Sequence, residues 1–165
     1  MQAVKTPKEL YDNFNAYFHF DHDPCPIHSD TDAFKTPWGK RNYVNPPFKH
    51  AGAFAMRAVQ VYKETGGCTV ILCPARTSSL WFEWVFNCGY LSAVVFLRSG
   101  IKFDGFTNAI PHPMILLCIG TNDGGALGRP PYMLFWDALN TKRKLESTYQ
   151  TFVTHFDKIG WPTDA

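Results

Sequence analysis

No run in this 165-residue chain approaches the roughly 18 to 20 consecutive apolar residues of a membrane-spanning helix. The opening MQAVKTPKEL has neither an apolar signal core nor an Arg-rich amphipathic stretch, so a protein with no membrane anchor is expected. There is no C-x-x-C pair. The cysteines are Cys25, Cys68, Cys73, Cys88 and Cys118, an odd count of five, and most sit in apolar runs. That argues against a disulfide framework or a zinc ribbon and predicts free thiols in a reducing, cytoplasmic setting. Charge is sparse as well, at 18% of residues with a net +2, so any polyanionic partner would be held by a local basic patch rather than a global field. No G-x-G-x-x-G loop, internal repeat or low-complexity block occurs.

What is present is a globular composition, 45% hydrophobic, with an aromatic share of 16% that suggests stacking surface beyond the needs of packing. Thr6 and Pro7 ahead of KELYDNFNAYF read as an N-cap and a first helical residue, with Leu10, Phe14 and Phe18 on one face. The alternation in FHFDHDP predicts a short strand ending at Pro24, and NYVNPPF a second strand stopped by its proline pair. HAGAFAMRAVQVYKET has helical spacing at Phe54, Ala58, Val61 and Tyr62 and closes on Gly66. CTVILCP, LSAVVFL and MILLCIG are continuous apolar runs, as in strands buried on both faces. Between the first two lies a helix with a stripe of Leu80, Trp81, Trp84 and Val85.

This alternation predicts an α/β domain on a mostly parallel sheet. No helix fits between Leu97 and Met114, so the last two long strands should pair antiparallel, with an antiparallel strand at one side of the sheet. FWDALNTKRKLESTYQTFVTHF reads as a charged helical tail.

In open α/β sheets ligands gather at the carboxyl ends of the strands, which directs attention to Asp23-Pro24-Cys25, Asn45-Pro46-Pro47-Phe48 and the residues around Arg76. The proline pair makes a rigid turn there. An Asn amide and a proline carbonyl beside an aromatic ring can receive an exocyclic amine on a planar ring. His19, His22 and Cys25 stand at three-residue spacing but lack a fourth ligand, so no metal is expected.

NPPF resembles the (Asp/Asn)-Pro-Pro-(Tyr/Phe) motif of enzymes that methylate amine or amide nitrogens with S-adenosylmethionine. TPKEL, FDHDPCP, WGKRNYVNPPF, VILCPARTSSLWF, FLRSGIKF and PHPMILLCIG, in that order, are similar to the phage Dam-like DNA adenine N6-methyltransferase family over roughly residues 5 to 120. The resemblance implies a compact Rossmann-like methyltransferase domain over 1–120, with helices on both faces of its sheet. A C-terminal helical extension over 121–165 would pack on the same domain.

It further implies that Asn45, Pro46, Pro47 and Phe48 form the catalytic turn: Asn45 and the Pro46 carbonyl accept from the adenine amine and Phe48 stacks on the base. Thr6, Pro7, Asp23, Pro24 and Cys25 would bind S-adenosylmethionine. Lys49, His50, Arg76 and Lys102 would meet phosphates of DNA whose target base is flipped out or single-stranded. Ser99-Gly100 stand where the family carries Gly-Arg. No separate target-recognition domain is visible, so specificity falls to the loops at 26–43 and 98–113 or to a protein partner. Cytosine N4, RNA or a protein amide would suit the same turn, and a non-catalytic viral or accessory module is the alternative of another class.

Overall fold

The computed structural model describes residues 4–26, 32–98, 101–139, 152 and 155–163. Among the described residues three α-helices, α1 (Lys8–Phe18), α2 (Ala51–Thr65) and α3 (Leu80–Asn87), accompany five strands: β1 (Arg41–Val44), β2 (Cys68–Pro74), β3 (Leu91–Leu97), β4 (Met114–Ile119) and β5 (Tyr132–Trp136). They form one mixed sheet in the order β1-β2-β4-β3-β5. β1 runs parallel to β2, and β3 to β5, while β4 is antiparallel to both β2 and β3.

The expected pairing of the last two long strands holds, but the antiparallel strand lies at the centre rather than at one side. Hydrophobic pattern explains the placement. Every residue of β4 is buried, so it suits an interior position, whereas β5 buries Leu134 and Trp136 and exposes Met133 and Phe135, as an edge strand can.

Two cores flank the sheet. On one face Leu10, Phe14 and Phe18 of α1 pack over Val70, Leu72, Val95 and Leu116. On the other, Ala51, Ala55, Ala58 and Val59 of α2 and Val85 of α3 cover Val44, Ile71, Val94 and Leu117. Each Å² of apolar surface these cores remove from water contributes ~25 cal/mol to folding. Among the described residues all five cysteines are free.

Several local expectations give way. Thr6 does not cap α1: Pro7 takes the N-cap with φ −55° and ψ 138°, no side chain caps the helix, and the Thr6 hydroxyl is engaged elsewhere. The strand expected before Pro24 shrinks to one parallel bridge between His22 and Asn42, because the prolines at 24 and 26 withhold the N–H groups a ladder needs. The stripe of α3 is rotated: Phe82 and Val85 are buried, while Leu80 is 84% exposed. Phe135 and Trp136, placed by the sequence in a helical tail, belong to β5, and residues 140–151 of that tail lie outside the described residues, as do Ser99 and Gly100.

Most of the aromatic excess is core. Trp136 stacks flat on Phe152 with centroids 4.0 Å apart, and Phe18 meets Phe20, Phe156 and Trp161.

Candidate functional site

The chain leaves β1 at Asn45, and Pro46 and Pro47 carry it into a 3-10 turn, Phe48–His50, that runs directly into α2. Proline at both positions forbids extension of the β1–β2 ladder, so Asn45 is held at the end of the strand. Alternation along the strand places its side chain on the same side as Tyr43. Both reach toward the N-terminal segment. The Thr6 and Tyr43 hydroxyls are 2.6 Å apart, Asn45 Nδ2 donates to Thr6 Oγ1 at 3.0 Å, and the same nitrogen donates to the Val4 carbonyl.

A carbonyl can only accept, so the Val4 contact fixes which end of the amide faces it. Asn45 Oδ1 is consequently turned away. It is buried without a hydrogen-bond partner, on a residue only 8% exposed. An orphaned buried acceptor costs about 1–3 kcal/mol and is uncommon in a well-packed protein.

Asn45 lines a cavity of about 960 Å³ together with Thr6, Tyr11, Asp23, Cys25 and Tyr43. Lys5, Lys8, Asp12 and Asp104 complete its polar rim. Asp12 is paired with Lys8, whereas Asp23 and Asp104 make no ion pair among the described residues. Desolvation at the cavity wall pushes the Asp23 carboxyl above its ordinary range, and the Cys25 N–H, donating to Asp23 Oδ1 at 2.9 Å, offsets only part of this. Since Asp23 still has substantial exposed surface, water moderates the effect. Burial, reinforced by the charge of Asp23, also raises the Cys25 thiol, which leaves it protonated and a poor nucleophile. Tyr43, wholly buried, has its hydroxyl raised well beyond the usual range for the same reason.

Of the residues singled out in the sequence, Thr6, Asp23, Cys25 and Asn45 therefore meet around one cavity. Pro7, Pro24, Pro46 and Pro47 shape its backbone without forming its wall. Phe48 packs edge-on against Phe103, at 6.4 Å between centroids, and His112, at 6.0 Å. Both of those rings line a second cleft of about 280 Å³. Lys49, His50, Arg76 and Lys102 are all exposed.

Tyr11, Tyr43 and Asp104 line this cavity although the sequence does not single them out. Tyr43 is signalled by its spacing, two residues before Asn45 on an alternating strand; Asp104 comes from a loop with no period to read. Among the described residues no three His, Cys, Asp or Glu side chains group as metal ligands, and no helix is long and apolar enough to cross a membrane.

No protein-family model and no curated protein matches the chain. A solved structure described as a modification subunit of a proposed type I restriction enzyme from Vibrio vulnificus YJ016 is similar at 17% identity and a TM-score of 0.38, covering 78% of this chain. The chain spans 34% of that subunit's length.

Proposed function

We propose that the chain is an S-adenosylmethionine-dependent methyltransferase acting on the N6 amine of adenine in DNA. The observation that carries this reading is Asn45 Oδ1, a buried acceptor with no partner, on an amide whose nitrogen is already committed to Val4 and Thr6. Such an atom is poised for an N–H donor. An exocyclic amine supplies one and leaves its second hydrogen for the Pro46 carbonyl.

Those two acceptors would draw the amine nitrogen out of conjugation with its ring and free its lone pair. Asn45 is neutral, so it orients the amine rather than removing its proton, and the turn made by Pro46 and Pro47 holds that orientation without a reorganisation cost. S-adenosylmethionine, when bound, supplies a methyl group on a positively charged sulfonium. Among the charged groups lining the cavity the acids Asp12, Asp23 and Asp104 outnumber the bases Lys5 and Lys8, a modest balance in favour of such a cation, and the cavity's volume falls in the range of ~300–1,000 Å³ usual for small-molecule sites. Asp23, Thr6 and Cys25 would hold its polar groups. A target base must leave a duplex to reach this depth, at a cost of roughly a few kcal/mol, so single-stranded or distorted DNA should be the better substrate.

The test is incubation of the protein with methyl-labelled donor and either DNA or RNA, followed by mass spectrometry of the nucleosides. Labelled N6-methyladenine from DNA is the expected product. Label in N4-methylcytosine or in RNA would redirect the substrate, and absence of both transfer and calorimetric donor binding would leave a non-catalytic module.

A further inference from the structure

We propose that the cleft walled by Phe103, Phe106, Asn108, Ile110 and His112 holds an unpaired nucleobase other than the one offered to Asn45. This rests on the nucleic-acid reading above and assigns the protein a second base-binding position.

At about 280 Å³ the cleft falls just below the ~300–1,000 Å³ of sites that enclose drug-sized molecules, so its occupant is a single small ring system. Asn45 is not part of its wall, and Val4 lines both this cleft and the larger cavity. A base seated here is therefore not the one whose amine meets Asn45 Oδ1. The chemistry of the lining is that of a stacking site. Phe103 is buried as a fixed wall, while Phe106 leaves half of its surface, 50%, open at a loop tip where packing does not require it. Asn108 and Thr107, both exposed, offer amide and hydroxyl groups to the edge of a base, and His112 adds an imidazole braced against Phe48.

Charge complements the aromatic lining. Lys102 adjoins Phe103, and Lys49 and His50 follow Phe48 in the turn that abuts the cleft. All three are exposed, and neither lysine forms an ion pair among the described residues. Aromatic faces bordered by cations that can reach a backbone are how proteins hold single-stranded nucleic acid.

The probe is a mixed-sequence single-stranded DNA oligonucleotide carrying 5-iodouracil, photocrosslinked to the full chain and mapped by peptide mass spectrometry. Crosslinks within residues 103–112 are expected. Phe106→Ala should weaken oligonucleotide binding about tenfold, in line with loss of one stacked base. Phe106→Trp should restore it, and neither change should alter calorimetric binding of S-adenosylmethionine. Crosslinks confined to other segments, wild-type affinity in Phe106→Ala, or failure of the oligonucleotide to bind would each overturn the assignment. If donor binding persists in those cases, the methylation reading survives alone; crosslinks in the cleft without donor binding would sink that reading and keep this one.

Discussion

Each end of β1 has an Asn and an Asp nearby, and the two ends use them in opposite ways. At the start of the strand, Asn42 is fully buried and fully occupied: its nitrogen donates to the carbonyls of Gly39, at 2.9 Å, and Cys68, at 3.0 Å, and its oxygen accepts the Gly39 N–H at 2.7 Å. The neighbouring Asp21 accepts the Arg41 N–H at 3.1 Å and pairs with its guanidinium at 3.8 Å. Space there is so tight that a Cβ on Gly39 would lie 2.3 Å from Asp21 Oδ1. Just beyond the other end, Asn45 keeps its oxygen unpartnered and Asp23 faces a cavity without a cation partner among the described residues. A buried amide that satisfies all its hydrogen bonds is structure. One left with a spare acceptor beside a cavity is the candidate for a binding role.

Breaking the pairing at either end should separate stability from activity. The largest effect is expected from Asn45→Ala, which should lower methyl transfer by about a hundredfold or more, the loss typical when one preorganised polar contact to a reacting group is removed. Donor affinity measured by calorimetry should stay within a few fold; undiminished transfer would remove Asn45 from the chemistry.

Asn42→Ala should show the converse. It strands the Gly39 and Cys68 groups in the interior, so urea unfolding should report a loss of about 1–3 kcal/mol while the folded fraction keeps its turnover. Tyr43→Phe deletes one member of the Thr6–Tyr43–Asn45 chain and should cost about 1 kcal/mol in the same assay, with no loss if that chain does not organise the segment.

The smallest effect is a pH dependence. Because desolvation raises the Asp23 carboxyl in the folded state, the folded chain retains that proton where the unfolded chain has released it. Its contribution to stability therefore falls as pH rises from the ordinary value of 3.8 through the raised one. Asp23→Asn should flatten this part of the profile of thermal midpoint against pH and leave the protein slightly more stable at neutral pH. Parallel curves for the two proteins would show that Asp23 carries no desolvation cost.

The elements with continuous or periodic apolar patterns are legible in the sequence itself. CTVILCP and MILLCI are strands buried on both faces, and Phe54, Ala58, Val61 and Tyr62 all face the core from α2. Local pattern does not encode which neighbour a strand chooses, and so the central position of β4 is not visible there. Nor does it encode competition among partners. Thr6 has the composition of a cap, yet Tyr43 and Asn45, remote in sequence, claim its hydroxyl. The aromatic share misleads for a related reason: composition counts rings without saying whether Trp136 will meet a base or Phe152. At the site, the turn residues are readable because Asn-Pro-Pro-Phe is contiguous, whereas Asp104 and His112 are contributed by a loop whose course only tertiary structure defines.

That loop, residues 98–113, joins β3 to β4, which are adjacent and antiparallel. Neighbours of this kind can be closed by a turn of about two residues, unlike parallel strands, which need a long crossover. The connectivity of the fold thus places almost no demand on the loop's length. Its length is surplus to topology: Ile101 and Phe103 anchor the segment in the core, and insertions between such anchors can be accommodated without redrawing the sheet. Variation in this segment can remodel the cleft between Phe103 and His112 while leaving the strand order of the sheet intact.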